Sequence, residues 1–427
     1  MKIYGTSIGH KFLRMRRIGA PVPLCIILLL SGCGGGGSPA PSSTSNGGNP
    51  CENGSASYTP ISAPITATAA AARISFAIKN DGTLWAWGTS ANGQLGAGAA
   101  TSSVNPIKIG DGFTAVSASF GHSLGLKSNG TLWAWGDNSF GQLGNNSTTA
   151  SNVPIQIGDS ANTYTAISAG LNFSLAVKSD GTLWAWGDNH FGQLGIGDNN
   201  IKTSPAPIQV GSGNGYSAIS AGTSHALALK TDHSMWAWGD NSFGQLGDDT
   251  TNSSNVPVRI DAGESYGAIA AGYYYSLAVR LDGSLMAWGN NIQGKPANPI
   301  VTDHVPTKIG DAFSPDMDAL SASKFSILGS RTVYFHSLAL KNDGSLWAWG
   351  DNIFGQLGNN NPPTPSPVPE QILADSGYAF TAVSAGDDDH SLAIKNDGSL
   401  WAWGSNSCGQ LGDGTTSAHY EPRKVSR

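Results

Sequence analysis

From about residue 65 to the C-terminus one arrangement of apolar and polar positions recurs. A run of small residues such as Tyr164-Thr-Ala-Ile-Ser-Ala-Gly170 leads into an alternating stretch, Ser174-Leu-Ala-Val-Lys178. Asp-Gly or Asn-Gly follows, then a segment such as Leu132-Trp-Ala-Trp-Gly136 and, in six copies, Gly-Gln-Leu-Gly. A polar loop and a strand-like segment such as Pro154-Ile-Gln-Ile157 close the unit. Period-two alternation is the mark of a strand, and Asp-Gly between two such runs accepts the positive φ of a tight hairpin turn. Each unit therefore reads as four short antiparallel strands.

Seven units are present. Their tryptophan segments start at residues 85, 133, 184, 236, 286, 347 and 401, and they hold all 13 tryptophans. These are Trp85 and Trp87, Trp133 and Trp135, Trp184 and Trp186, Trp236 and Trp238, Trp288 alone beside Met286, Trp347 and Trp349, Trp401 and Trp403. Such an allocation is structural. In Leu132-Trp133-Ala134-Trp135 the indoles share one face of a strand, with leucine and alanine on the other, so both faces are apolar. A sheet apolar on both faces has to be sandwiched, and radial stacking does this for every copy without capping repeats. The expected fold is all-β, a seven-bladed β-propeller of four-stranded antiparallel blades. The small-residue strand fits the crowded position beside the channel. Final-strand segments at Pro106, Pro154, Pro207, Pro257, Pro306, Pro369 and Pro422 are all present, so the ring can close. The pattern leaves open whether the last of them completes its own blade or joins the first.

Composition agrees with this and adds a compartment. Glycine supplies 57 of 427 residues, and charged residues only 12%, about half the usual share, which argues against long helices. At the N-terminus Lys2, Lys11, Arg14, Arg16 and Arg17 precede the apolar run 18–30, and Leu30-Ser-Gly-Cys33 follows. Basic, apolar and small regions in that order make a secretory signal, with Met1 or Met15 as its start. The last four residues resemble the lipobox of bacterial lipoproteins, which implies cleavage after residue 32 and lipid on Cys33. Residues 33–60 then read as a lipidated cysteine and a Gly/Ser/Pro tether, and 61–427 as the propeller. Seventeen flexible residues, 34–50, span on the order of 23 Å as a coil. The mature chain would carry 18 basic and 29 acidic residues, a charge of −11 that repels phosphate backbones and excludes nucleic acid as a partner. Cys51 and Cys408 remain after processing. They lie before the first blade and in the seventh, neighbours in a closed ring, and outside the cytoplasm a disulfide between them is expected.

The ordered succession of a small-residue strand, His-Ser-Leu-Ala-Leu, Asp-Gly, Leu-Trp-Ala-Trp-Gly and Gly-Gln-Leu-Gly resembles the regulator of chromosome condensation repeat family over about Ile65 to Val425. The resemblance implies a seven-bladed propeller and a habit of binding proteins, and it does not imply one activity. The founding member exchanges guanine nucleotide on a small nuclear GTPase, and other members are secreted binders. The exchange factor's catalytic loop has no counterpart that can be placed here.

Catalytic or metal chemistry finds no constellation in the sequence. Aligned on the hairpin turn, the position of the recurring histidine reads Ile74, His122, Phe173, His225, Tyr275, His336 and His390, which a packing role tolerates and a ligand role does not. The expectation is no metal, no cofactor and no catalytic residue. Where the units disagree is more informative. First and third connections of a four-strand meander emerge at one end, and there the chain places Phe120, Asn172, Tyr273, Tyr274, an insertion from Lys324 with Phe325 and Arg331, and Asp387, Asp388 and Asp389. This rim of aromatics, a protruding basic loop and a solvated acidic cluster is the expected binding surface for a protein or another cell-envelope component. The recurrence of Phe140, Phe191, Phe243 and Phe354 predicts that these tuck under their own loops. The functional expectation is a monomeric, lipid-anchored scaffold at the bacterial cell envelope, on the outer membrane or cell surface. The alternatives are a GTPase regulator by family analogy, or a polysaccharide-acting enzyme at the channel mouth.

Overall fold

In the computed structural model residues Gly48–Arg427 form a compact unit. The structure describes residues 61, 64–290, 302–324, 335–373, 379–387 and 389–425. The chain folds into seven four-stranded antiparallel sheets, each built from consecutive strands. The second blade is representative, with strands Phe113–Ala118, His122–Lys127, Leu132–Gly136 and Ser151–Ile157 running from channel to rim.

The inner strands are Ile65–Ala71, Phe113–Ala118, Tyr164–Ala169, Tyr216–Ala221, Tyr266–Ala271, Leu320–Ala322 and Phe380–Ala385. Each touches the next, and the seventh touches the first. The ring closes without strand exchange, since the C-terminal strand His419–Lys424 completes the seventh blade. Small side chains fill the inner strands because seven of them converge there. The recurring prolines sit in the outermost strands, where a missing N–H leaves the ladder intact and discourages edge pairing with another sheet.

The hydrophobic core is divided into seven clusters, one at each junction between blades. Each contains the second indole of one blade, Trp87, Trp135, Trp186, Trp238, Trp288, Trp349 or Trp403, all at most 3% exposed. The paired indoles are not equivalent. The first of each pair is half-exposed, donates from Nε1 to the hydroxyl two residues earlier (Trp133 to Thr131, 3.0 Å) and lies under a lysine ammonium (Lys127, 4.2 Å). Only the second indole forms the wall.

Hydrogen bonds join the blades at both ends. On one face, each hairpin turn accepts the N–H that opens the next blade's inner segment, from Phe113 to Gly82 (2.9 Å) round to Ile65 on Gly398 (2.8 Å). On the other, the glutamine carbonyl of Gly-Gln-Leu-Gly accepts the next blade's indole, as in Trp135 to Gln94 at 2.8 Å. The loop after that motif donates to the next outermost strand, as in Asn146 to the carbonyl of Pro205 at 2.8 Å. The fifth blade has Gln-Gly-Lys-Pro in place of the motif, within residues outside the described set.

Candidate functional site

First and third connections meet on one face, hereafter the loop face, as the bond from Asp137 N–H to the carbonyl of Gly121 shows (2.8 Å). Beneath it lies a polar layer that sequence reasoning took for packing. His122 is buried, and its Nε2 lies 2.8 Å from Ser174 Oγ of the next blade. Ser174 Oγ in turn donates to the carbonyl of Gln142 at 2.8 Å. Having given its proton to that carbonyl, the serine can only accept, so the imidazole carries a proton on Nε2, and with Nδ1 buried without a hydrogen-bond partner the ring is held neutral. The same pairing joins His225 to Ser276, His336 to Ser391 and His390 to Ser75, while Tyr275 hydroxyl meets Ser337. Burial pushes the histidines well below the ordinary value: His122, His336 and His390 to about 3, His225 to about 4.

One signal in the sequence could have shown this layer. The third blade has Phe173 at the histidine position, and the fourth has Ala226 where its neighbours have serine. An apolar pair replaces the polar one at this junction, whereas Ile74 of the first blade is followed by Ser123, which keeps only its bond to the carbonyl of Gln94.

Above this layer the connections build themselves from short-range bonds. Gln142 Nε2 donates to Asp137 (2.8 Å), Gln193 to Asp188 (2.9 Å), Gln245 to Asp240 (2.9 Å) and Gln356 to Asp389 (3.0 Å) and Asp351. Asp188, Asp240 and Asp351 are thereby buried carboxylates, and burial raises Asp351 above the usual range.

The predicted rim residues fall into three groups. Phe120 and Asn172 are half-buried at the channel mouth. Tyr273 and Tyr274 join a chain of rings across three blades: Phe243 to Tyr274 (4.7 Å), Tyr274 to Tyr273 (4.1 Å), and Tyr273 stacked on Phe335 (5.0 Å). All four are half-buried, so part of each residue meets solvent. Phe140, Phe191 and Phe243 do not tuck under their own loops. Phe243 reaches the next blade, Phe140 packs edge-on against His190 of the next blade (6.5 Å), and Phe191 is 49% exposed. The loop is too short and too hydrogen-bonded to cover them.

The third group corrects two expectations. Lys324 does not protrude. Its N–H donates to Asp387 Oδ1 (2.6 Å), its carbonyl accepts from Thr223, and its ammonium crosses the channel mouth to the carbonyl of Ala169 at 2.7 Å. It thus ties the sixth blade to the third, fourth and seventh, and burial lowers its pKa despite Asp387. Asp387 and Asp389 are not solvated; both are 3% exposed, held by these bonds and by Gln356. Phe325, Arg331, Asp388, Cys33 and Cys51 lie outside the described residues. Cys408 is buried and disulfide-bonded, and the expected pairing with Cys51 lies outside the described set.

Among the described residues no group of three or more histidine, cysteine, aspartate or glutamate side chains could hold a metal ion. No helix among them is long and apolar enough to cross a membrane. What the geometry offers is a rigid closed ring with one face of variable, partly exposed aromatic loops, a binding platform. Comparison with known proteins agrees on the fold. The RCC1-like domain model matches residues 32–328, and the regulator of chromosome condensation (RCC1) repeat matches 343–394 and 397–427. The chain belongs to the RCC1-like propeller family.

Among curated proteins it is 31% identical over 252 residues to the ultraviolet-B receptor UVR8 of Arabidopsis thaliana, a match covering 58% of this chain and 54% of that receptor. It is 27% identical over 262 residues to the human E3 ubiquitin-protein ligase HERC2, covering 61% of this chain and 4% of that protein. The chain thus spans about half of the first relative and a small part of the second. Solved structures share the fold: human WBSCR16 (TM-score 0.67, 22% identity, 81% of this chain and 94% of that one) and Prp20p of Saccharomyces cerevisiae (0.67, 22%, 82% and 87%). The latter was solved with a study of its binding to Gsp1p and histones.

Proposed function

We propose that this chain is a non-catalytic binding module that recognises a protein partner through its loop face and is held at a bacterial envelope by lipid on Cys33. The observation that carries the recognition half is the half-exposed ring chain Phe243, Tyr274, Tyr273 and Phe335. Aromatic side chains presented by short, internally bonded loops lose little entropy on contact, which is what a binding surface needs. Kinship with propellers that bind proteins supports the same reading. The short match to ubiquitin ligases gives no reason to transfer ligase activity. The signal-like N-terminus and the lipobox-like Leu30-Ser-Gly-Cys33 support anchoring.

Two experiments test the halves separately. Photo-crosslinkers placed at Tyr273 on the loop face and at Asp180 on the opposite face, in intact cells, should trap a partner only from the loop face. Trapping from Asp180 alone would refute the assignment. Labelled palmitate should mark the wild type and not Cys33→Ala. An unlabelled wild type, or label retained by the variant, would defeat the anchor.

A further inference from the structure

The two ends of the ring differ in charge. At the end opposite the loop face the second strand of six blades finishes in a base, Lys79, Lys127, Lys178, Lys230, Arg280 or Lys395, and in the sixth blade Lys341 follows it directly, all interleaved with the turn acids. The loop face has no such ring. Its third connections carry Asp137, Asp188, Asp240 and Asp351 next to the tryptophan segments, and Asp198, Asp248, Asp249 and Asp413 further out. Asp387 and Asp389 add to these in a first connection. Against them stand Arg73, Lys202 and Lys324 among the described residues, with His190 paired to Asp188 and His419 to Asp413, and the ammonium of Lys324 is directed across the channel mouth to Ala169.

The acids and the ring chain coincide. Phe243 belongs to the same connection as Asp240, Asp248 and Asp249, and the Asp240 charge helps to hold the Tyr274 hydroxyl above its ordinary pKa, after burial and its bond to Tyr273. In the neighbouring connection Asn199 accepts from Asn255 of the fourth blade's outermost strand (3.0 Å), so Asp198 adds charge at the outer edge of the same face.

We infer that the partner presents a cationic peptide segment, lysine or arginine interleaved with apolar residues, to the Phe243–Tyr274–Tyr273–Phe335 chain. This rests on the reading of the loop face as the binding surface. The aspartates attract the bases of the segment through a long-range field, and its apolar residues cover the solvent-facing parts of the rings. An acidic segment or a phosphate-bearing surface would meet the same field as repulsion.

The test uses the detergent-solubilised full chain and fluorescence anisotropy with two labelled twelve-residue peptides, one alternating lysine or arginine with leucine, the other glutamate with leucine. The cationic peptide should bind and the anionic one should not. Raising sodium chloride from about 50 to 500 mM should weaken binding by about tenfold or more, because the exposed charges are screened. Tyr273→Ala with Tyr274→Ala should weaken it about tenfold. Asp198→Asn with Asp249→Asn should weaken it several-fold and flatten the salt dependence. Asn tolerates the positive φ of Asp249 (64°), so the second pair keeps the fold. On the far face Asp180→Asn, which reproduces the natural Asn129-Gly130 turn, should change nothing.

Preference for the anionic peptide, no binding of either, or equal loss from Asp180→Asn would overturn the inference. So would a partner trapped at Tyr273 that stays bound in 500 mM salt, and that outcome would leave the protein-binding reading standing.

Discussion

Acid should loosen this ring at its junctions, by an amount set by four histidines. In the folded chain His122, His225, His336 and His390 are neutral, buried and matched to serines of the next blade. Their folded pKa values are depressed to about 3 or 4, whereas an unfolded histidine titrates near 6.5. Stability is therefore fully present above pH 6.5 and is lost as pH falls from there toward 4, because only the unfolded chain takes up the protons. At pH 5 the loss is about 2 kcal/mol per histidine, and on the order of 8 kcal/mol for the four. Nearby charges do not reverse this: Asp137 and Asp240 pull His122 and His225 upward, Lys324 and His390 push His122 and His336 down, and desolvation outweighs all of them. The sharp test transplants the native apolar junction. The double substitution His122→Phe with Ser174→Ala copies the Phe173 and Ala226 pair and removes one titrating group. Melting temperatures of wild type and variant are compared at pH 7.5 and 5. Carboxylates and surface histidines titrate alike in both, so the difference isolates His122. The variant should lose about 2 kcal/mol less on acidification, or about 2 to 3 °C in a domain of this size. Parallel pH profiles would show that His122 is not a neutral, buried partner of Ser174, and the reasoning about the layer would fail with it.

Other outcomes follow from the same geometry. Trp135→Ala removes a wall indole and should cost about 3–5 kcal/mol in urea unfolding, while Trp133→Ala, from the half-exposed member of the pair, should cost markedly less; equal losses would contradict the distinction. Gly88→Ala should abolish soluble expression or lower the melting point steeply, because Gly88 has φ 103° and an added Cβ would lie 2.0 Å from the carbonyl oxygen of Arg73. Hydrogen exchange should be fastest at the junction of the fifth and sixth blades. There Ala270, like Ala69 of the first blade, stands where Ser117, Ser168, Ser220, Ser321 and Ser384 accept an N–H from the next inner strand, and at this junction Gly-Gln-Leu-Gly is missing as well. Uniform protection around the ring would refute this. Peptide mapping without reductant should yield a fragment joining Cys51 to Cys408, and Cys408→Ser should lower the melting temperature; free Cys51 in the wild type would exclude the pairing.

The amino-acid sequence alone determined the blade. Alternation, Asp-Gly turns and seven tryptophan segments are local or periodic facts, and a sheet apolar on both faces has few ways to be buried. The ring and its seven blades follow from that, whereas which indole of each pair forms the wall does not. The tertiary structure decided what happens between units. Whether an aspartate is solvated depends on partners in the neighbouring blade, so Asp387, held by the Lys324 N–H, and Asp389, held by Gln356, read as surface and are buried. Lys324 reads as a protruding base, yet its ammonium finds a carbonyl three blades away, a distance in sequence of 155 residues that no pattern within one repeat records. The histidines read as filler because each repeat shows half of a pair whose other half belongs to its neighbour. Contacts inside a repeat are written in the repeat; contacts between repeats exist only once the ring has brought distant residues together.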